Sequence, residues 1–152
     1  MKDLAPELIL SNWEELMGYI KKYVTGDRKQ KLLDFYKSHE GVLVTMPASI
    51  KREYHSAYAG GYVHHVLNVV KGALALYDVW KDMGAEVDTF TVEELIFSAI
   101  NHDLGKMGDG INEAYLPQTD AWRKDKLGEQ YMFNKTIAFA SVPDRSLFLL
   151  QN

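Results

Sequence analysis

The stretch Thr91-Val92-Glu93-Glu94-Leu95-Ile96-Phe97-Ser98-Ala99-Ile100-Asn101-His102-Asp103-Leu104-Gly105-Lys106 decides the fold expected for this chain. Its first four residues match a capping box, in which the Thr91 hydroxyl and the Glu94 carboxylate bond the free amides at a helix start. Apolar residues then follow at helical spacing, and the C-terminal end of the helix delivers an adjacent His-Asp pair. That pair, joined by His65 from another helix, offers three ligands that suit a divalent metal with open positions.

The rest of the sequence predicts more helices and an all-α fold. Apolar spacing typical of helices covers residues 6–24, about 27–38, 62 to about 83, near 119–131 and near 143–151. Val42-Leu43-Val44 is interpreted as a short extended piece, and no convincing strand alternation is found elsewhere.

Length and composition bound the class of protein. The 152 residues fit one domain, 1–152, with N-terminal helices at 6–38 and a core carrying the metal site at about 50–107. The chain has no cysteine, so a metal must be held by His, Asp or Glu. No apolar run is long enough for a membrane span and the N-terminus does not resemble a secretory signal, so we expect a cytoplasmic protein.

The charge balance makes a general nucleic-acid binder unexpected. The formal net charge is -4, and the one basic cluster, Arg123, Lys124 and Lys126, is more simply read as a solvated helix face. The sequence leaves the oligomeric state open.

Two stretches together resemble the HD-domain metal-dependent phosphohydrolases. They are Tyr54-His55-Ser56-Ala57-Tyr58-Ala59-Gly60-Gly61-Tyr62-Val63-His64-His65-Val66-Leu67-Asn68-Val69 and Ala99-Ile100-Asn101-His102-Asp103-Leu104-Gly105-Lys106. The shared pattern is a Gly-Gly entry, a helix carrying the first histidine, and then His-Asp-x-Gly-Lys. The resemblance implies that the all-α fold is an HD-domain-like helical bundle of about five to seven helices. The later stretch from Trp122 to Gln151, especially Pro143-Asp144-Arg145-Ser146-Leu147, looks like bacteriophage-type members, which would act in the host cytoplasm.

The resemblance implies that His65, His102 and Asp103 hold one divalent ion, which could be Mn, Mg, Fe, Co, Ni or Zn. His64 falls where the family often has Glu or another polar residue, so His65 is chosen as the ligand. Asp103 and Lys106 are the expected catalytic residues. Lys106 would also meet the substrate phosphate, although it could equally neutralise the end of the preceding helix.

Further substrate contacts are predicted on the N-terminal side of the metal site. His55 aligns with a family histidine that could line the pocket, with a turn residue as the alternative. Tyr58, like Tyr54 and Tyr62, could stack on a base, although contacts in the core explain these tyrosines equally well. Asp109 or Glu113 could act as a general base, but plain loop residues are the simpler interpretation.

The fourth ligand of the family, an Asp on a later helix, is not evident. Only Asp120, Asp125 and Asp144 follow the loop, and the chain ends within what looks like an unfinished helix. Either Asp144 supplies the fourth ligand or the C-terminal part is truncated, and we favour truncation.

The function expected from the sequence is hydrolysis of a phosphomonoester or phosphodiester in a nucleotide or related small molecule by metal-activated water. One alternative is a degenerate HD fold that binds a nucleotide or a protein without turnover. Another is an iron-dependent HD-type oxygenase, which the shortage of histidines after His102 counts against.

Overall fold

The computed structural model describes residues 4–137 and 140–151, and within them the chain is predominantly helical. Seven α-helices follow one another in this part of the chain: α1 Pro6–Tyr23, α2 Gly26–Ser38, α3 Glu40–Leu43, α4 Gly61–Asp82, α5 Val92–Asn101, α6 Ala121–Leu127 and α7 Val142–Gln151. A 3-10 turn, Leu104–Met107, and two short strands, β1 Tyr115–Pro117 and β2 Tyr131–Phe133, complete the described elements. The all-α prediction is confirmed. None of these helices is long and apolar enough to cross a membrane.

The core lies between α1, α4 and α5, and α2 packs on α1. Each helix turns its apolar stripe inward, so that side chains such as Leu16, Val66 and Ile96 are fully buried. Tyr36 from α2 reaches the end of α5, where its hydroxyl donates to the side-chain oxygen of Asn101 at 3.1 Å. The core therefore holds the residue that directly precedes the His-Asp pair.

The start of α4 is fixed by close packing of the preceding loop. Gly60 adopts a left-handed conformation with φ of 75°, which glycine tolerates without strain. A Cβ at Gly61 would lie 2.0 Å from the carbonyl oxygen of Ser56, so only glycine allows the loop to approach this closely. This contact sets the position of the first turns of α4, which carry His64 and His65.

The capping box predicted at the start of α5 is present. The amide of Glu94 donates to the Thr91 hydroxyl at 3.1 Å, and the amide of Thr91 donates to the Glu94 carboxylate at 2.7 Å. At the other end, His102 is the C-cap residue of α5, as the sequence predicts.

Two local predictions are wrong and one boundary shifts. Val42-Leu43-Val44 is not extended: Val42 and Leu43 end helix α3 and Val44 is its C-cap, because Leu43 is fully buried and its amide bonds the carbonyl oxygen of His39. Two strands exist where none is predicted, in an antiparallel hairpin that pairs Tyr115 with Phe133. The helix expected near 119–131 ends at Leu127, because Gly128 takes a left-handed conformation and turns the chain toward β2.

Glu93 joins the start of α2 to the start of α5. Its carboxylate accepts hydrogen bonds from the Thr25 amide at 3.0 Å and the Thr25 hydroxyl at 2.6 Å. The hydrogen bond from the Thr25 hydroxyl, and then the one from the Thr25 amide, lower the pKa of Glu93 below its usual value. A carboxyl with a lowered pKa stabilises the fold above its unfolded pKa and loses that contribution as the pH falls.

We therefore expect Glu93→Gln to lower the melting temperature slightly at pH 7 and to matter progressively less below about pH 4. Thermal melts of both proteins between pH 3 and pH 7 measure this. Glu14→Gln, on the exposed face of α1, is the control and should show no such trend. A difference that stays constant across the pH range would contradict the role given to the Glu93 charge.

Candidate metal centre

Three donor atoms meet where the start of α4 faces the end of α5. The Nε2 atoms of His65 and His102 are 3.2 Å apart. The Oδ2 atom of Asp103 lies 3.3 Å from each of these two nitrogens. The sequence-predicted ligands His65, His102 and Asp103 thus form a nearly equilateral triangle, which we call the donor triangle.

The size of the donor triangle fits one metal ion. Nitrogen and oxygen ligands about 2.1 Å from an ion lie about 3.0 Å apart at right angles and about 3.4 Å apart in a tetrahedron. The observed edges of 3.2 and 3.3 Å fall between these limits. Two imidazoles and one carboxylate form a donor set that many divalent metals accept, and three protein ligands leave positions open.

The His102 ring is held in the orientation that a metal ligand needs. Its Nδ1 lies 2.9 Å from the carbonyl oxygen of Ala99, an acceptor that requires a proton on Nδ1. In the neutral ring the lone pair is then on Nε2, which faces the donor triangle. In the metal-free protein the hydrogen bond to Asp103 is the main reason why the pKa of His102 is raised.

Asp103 is held as a carboxylate. Burial alone would favour its protonated form, but hydrogen bonds from His102, His65 and Lys106 outweigh burial and lower the pKa of Asp103 far below its usual value. The closest of these partners is the Lys106 ammonium, whose Nζ lies 2.7 Å from Oδ2. The site therefore presents an ionised oxygen ligand at neutral pH.

His55 and Lys106 connect the donor triangle to an open cleft of about 600 Å³. The centroids of the His55 and His65 rings are 4.5 Å apart. A donor atom of His55 is within 4.8 Å of those of His65 and Asp103. Burial first, and then the nearby His65 and Lys106, lower the pKa of His55, which favours the neutral ring at pH 7. This places His55 where the sequence predicts it, at the pocket.

Two segments line the cleft together with Lys106. One is the loop before α4, with Ser49, Tyr54 and His55, and the other is the hairpin, with Tyr115 and Phe133. The last two rings pack edge to face with centroids 6.3 Å apart. The cleft lining therefore combines aromatic rings with the cation of Lys106.

Other predicted site residues are engaged elsewhere. Asp144, the candidate fourth ligand, caps α7: its carboxylate accepts from the Ser141 amide at 3.2 Å and from the Ser141 hydroxyl. Tyr58 is buried and pairs through its hydroxyl with Nδ1 of His64 at 2.6 Å, and it is not among the residues that line the cleft. Tyr62 is fully buried in the core.

The candidate general bases belong to the loop after the 3-10 turn. The Asp109 carboxylate accepts from the amides of Ile111 and Asn112 at 2.9 and 2.7 Å and so shapes the loop. Glu113 forms an isolated backbone bridge with Gly108. Both arrangements agree with the simpler interpretation of these two residues as loop residues.

Two parts of the site are not found by sequence reasoning. Tyr115 and Phe133 form a cleft wall only because the hairpin pairs them across 18 positions, and strands of three residues are too short to show alternation. Arg145 and Ser146 on α7 bond the peptide of Gly105, in the 3-10 turn after the His-Asp pair. The Ser141-x-x-Asp144 spacing could have revealed Asp144 as a helix cap.

Comparisons of the chain with family models, with curated proteins and with solved structures find no match. The function therefore has to be inferred from the chemistry of the donor triangle and its cleft.

Proposed function

We propose that this chain is a metal-dependent phosphohydrolase of the HD-domain type, acting in the cytoplasm on a phosphomonoester or phosphodiester of a nucleotide or related small molecule. The observation that carries the proposal is the donor triangle, with edges of 3.2 and 3.3 Å, beside a lysine that lines an open cleft. A hydrolytic metal site needs these parts: mixed ligands, open positions and a cation for the phosphate.

His65, His102 and Asp103 would hold one divalent ion, with Mn, Mg, Fe, Co, Ni and Zn all compatible with the donor set. When bound, such an ion supplies Lewis-acid chemistry that activates water at neutral pH. The Nδ1 bond of His102 to Ala99 fixes one ligand before any ion arrives, which reduces the reorganisation that binding requires.

Lys106 binds the phosphate in this proposal. Its side chain is only 13% exposed, so its charge is weakly screened, and it lines the cleft while it contacts Asp103. With Asp103 committed to a metal ion, the Lys106 ammonium would be available to bind a phosphoryl oxygen in the cleft. It then offsets the negative charge that develops on the phosphate oxygens during hydrolysis.

The cleft is suited to a small substrate with a planar group. Its volume of about 600 Å³ lies within the usual range of small-molecule sites. Tyr54 on one wall and Phe133 on the other offer ring faces for stacking, and Ser49 and Glu53 supply polar atoms. These features favour a nucleotide or an aryl phosphate over a polymeric substrate.

The test is metal content, measured by mass spectrometry on protein purified without added metal and after incubation with Mn²⁺. We expect near-stoichiometric metal in the wild type and its loss in His65→Ala and in His102→Ala. His64→Ala is the matched control, since the neighbouring histidine bonds Tyr58 instead and should leave the metal content unchanged. No metal in the wild type under either condition would overturn the proposal.

Turnover is tested next on the loaded protein, with nucleoside monophosphates, p-nitrophenyl phosphate and bis-p-nitrophenyl phosphate. Hydrolysis that disappears in His102→Ala supports the proposal. Stoichiometric metal with no turnover of any of these would reject the enzyme and favour the binding module.

Removal of the aromatic wall should weaken substrate binding. We expect Phe133→Ala to raise the KM for a nucleotide about tenfold with kcat little changed, because one stacking contact with a base is lost. Steady-state kinetics measure both constants. Met132→Ala is the control, since neighbouring strand residues face opposite sides and Met132 does not line this cleft. An unchanged KM in Phe133→Ala would place the base elsewhere.

A further inference from the structure

Helix α7 brings two buried polar side chains to the turn that carries Asp103 and Lys106. We propose that Arg145 and Ser146 are positioning residues: they fix the Gly105 peptide and thereby set the affinity of the donor triangle for a metal ion. This inference rests on the proposed function, because it concerns the same metal.

Both polar groups of Gly105 are bonded by neighbours on α7. The Gly105 amide donates to the Ser146 hydroxyl at 2.8 Å, and the Gly105 carbonyl oxygen accepts from Nε of Arg145 at 2.8 Å. Gly105 stands between the metal ligand Asp103 and the phosphate-facing Lys106. The first bond holds the Leu104–Gly105 peptide and the second holds the Gly105–Lys106 peptide, so the backbone between the two functional side chains is fixed on both sides of Gly105.

Helix α7 packs against the turn at Gly105 with no room for a side chain. A Cβ on Gly105 would lie 2.2 Å from the Val142 carbonyl oxygen and 2.9 Å from the Ser146 amide nitrogen. These are backbone atoms, which cannot rotate out of the way. The turn is thus held by direct backbone packing as well as by the two side-chain bonds.

Stability alone does not account for an arginine at position 145. The residue is 6% exposed, and among the described residues no carboxylate lies within ion-pair distance of its guanidinium. Its partners are the carbonyl oxygens of Gly105 and Ala140. Because a buried charge without a counter-ion is costly, an apolar side chain would serve packing at least as well. An apolar side chain at this position could not donate the hydrogen bond to the Gly105 carbonyl oxygen.

Arg145 also touches the cleft wall. Its guanidinium carbon lies 5.9 Å from the centre of the Phe133 ring, within the range of a cation–π contact. A single side chain therefore contacts both the aromatic wall and the turn of the metal site. Arg145 therefore links the turn to β2, in addition to the backbone bond from the Ala114 amide to the Met107 carbonyl oxygen.

The experiment measures Mn²⁺ affinity by calorimetry and the melting temperature of the metal-free full chain. The variants are Arg145→Met, which removes the donor but keeps the bulk, and Ser146→Ala. We expect both to bind Mn²⁺ about 10- to 100-fold more weakly, as is usual when a group that orients metal ligands is lost. Arg145→Met should nevertheless melt close to the wild type, because it removes a buried charge. Arg145→Lys, which keeps one donor, should recover part of the affinity.

Ser141→Ala is the matched control. It removes the cap that Ser141 and Asp144 form at the start of α7, so it should destabilise the helix without touching Gly105. We expect its Mn²⁺ affinity to equal that of the wild type. If affinity follows melting temperature across all four variants, or if Arg145→Met and Ser146→Ala bind Mn²⁺ as tightly as the wild type, the positioning role is overturned. A wild type that binds no Mn²⁺ overturns the proposed function, and the positioning role with it.

Discussion

Gly105→Ala is expected to destabilise the fold by about 3 kcal/mol or more, a large effect for one added methyl group. The new Cβ would lie 2.2 Å from the Val142 carbonyl oxygen and 2.8 Å from the Cβ of Arg145. Since the closest atom is backbone, α7 must move away, and both hydrogen bonds to the Gly105 peptide then weaken together. Urea unfolding followed by circular dichroism measures the loss.

A matched substitution separates this clash from the general effect of replacing a glycine. Gly72 lies inside α4, and a Cβ added there would meet no atom within 4 Å outside its own helix backbone. Gly72→Ala should therefore stabilise the protein by up to about 1 kcal/mol, since alanine is the better helix former. A Gly105→Ala protein as stable as the wild type would show that α7 does not pack on the turn as described.

The parts of the fold that the sequence predicts are those set by local patterns. Helices α1, α4 and α5 begin and end within about two residues of the predicted limits, because their apolar stripes are long and their ends are marked. The Thr91–Glu94 capping box fixes where α5 starts, and with it where His102 and Asp103 end up. The donor triangle is predictable for the same reason: two ligands are adjacent in sequence and sit at a helix end.

The parts that sequence reasoning misses depend on contacts between distant residues. Ser146 and Gly105 are bonded across 41 positions, and no local pattern reports such a bond. Leu43 lies in a helix because the fold buries its side chain there, although its two valine neighbours favour strands. Asp144 is different, since a local signal existed. Its spacing from Ser141 marks a helix cap, and a carboxylate engaged in a cap is not free to act as a fourth ligand.

Asp103→Asn is expected to lower kcat/KM for phosphoester hydrolysis by about a thousandfold, equivalent to about 4 kcal/mol. The substitution keeps the size of the side chain but removes the only charged ligand of the donor triangle. The two remaining imidazoles are neutral and bind divalent ions more weakly without the carboxylate. Mn²⁺ calorimetry and steady-state kinetics on the same preparation measure the two losses together.

In the metal-free protein, the stability lost in Asp103→Asn should depend on pH. Asp103 has a lowered pKa, so its contribution to stability is present above its unfolded pKa of about 3.9 and is lost as the pH falls. His102 has a raised pKa, so its contribution is present below about pH 6.5 and is lost as the pH rises. The two conditions overlap near pH 5, where the deficit of Asp103→Asn should be largest.

The groups that face Asp103 decide how much of the deficit survives at higher pH. His65 and His102 contact its Oδ2 at 3.3 Å, and Lys106 contacts it at 2.7 Å. The Lys106 contact is separate from the histidine contacts, so part of the stabilisation should persist at pH 8 after the His102 contribution is lost. Urea unfolding in EDTA at pH 3, 5 and 8 tests this dependence, with the largest deficit at pH 5 and smaller deficits at pH 3 and pH 8.

Asp109→Asn is the control for both measurements. Its carboxylate also has a lowered pKa, from the amides of Asn112 and Ile111, but it shapes the loop and not the donor triangle. It should keep Mn²⁺ affinity and activity while losing a little stability above pH 4. If Asp103→Asn bound Mn²⁺ as tightly as the wild type, the ion would be held by other groups. The short distances from His65 and His102 to Oδ2 would then reflect hydrogen bonding to Asp103 and not a metal site.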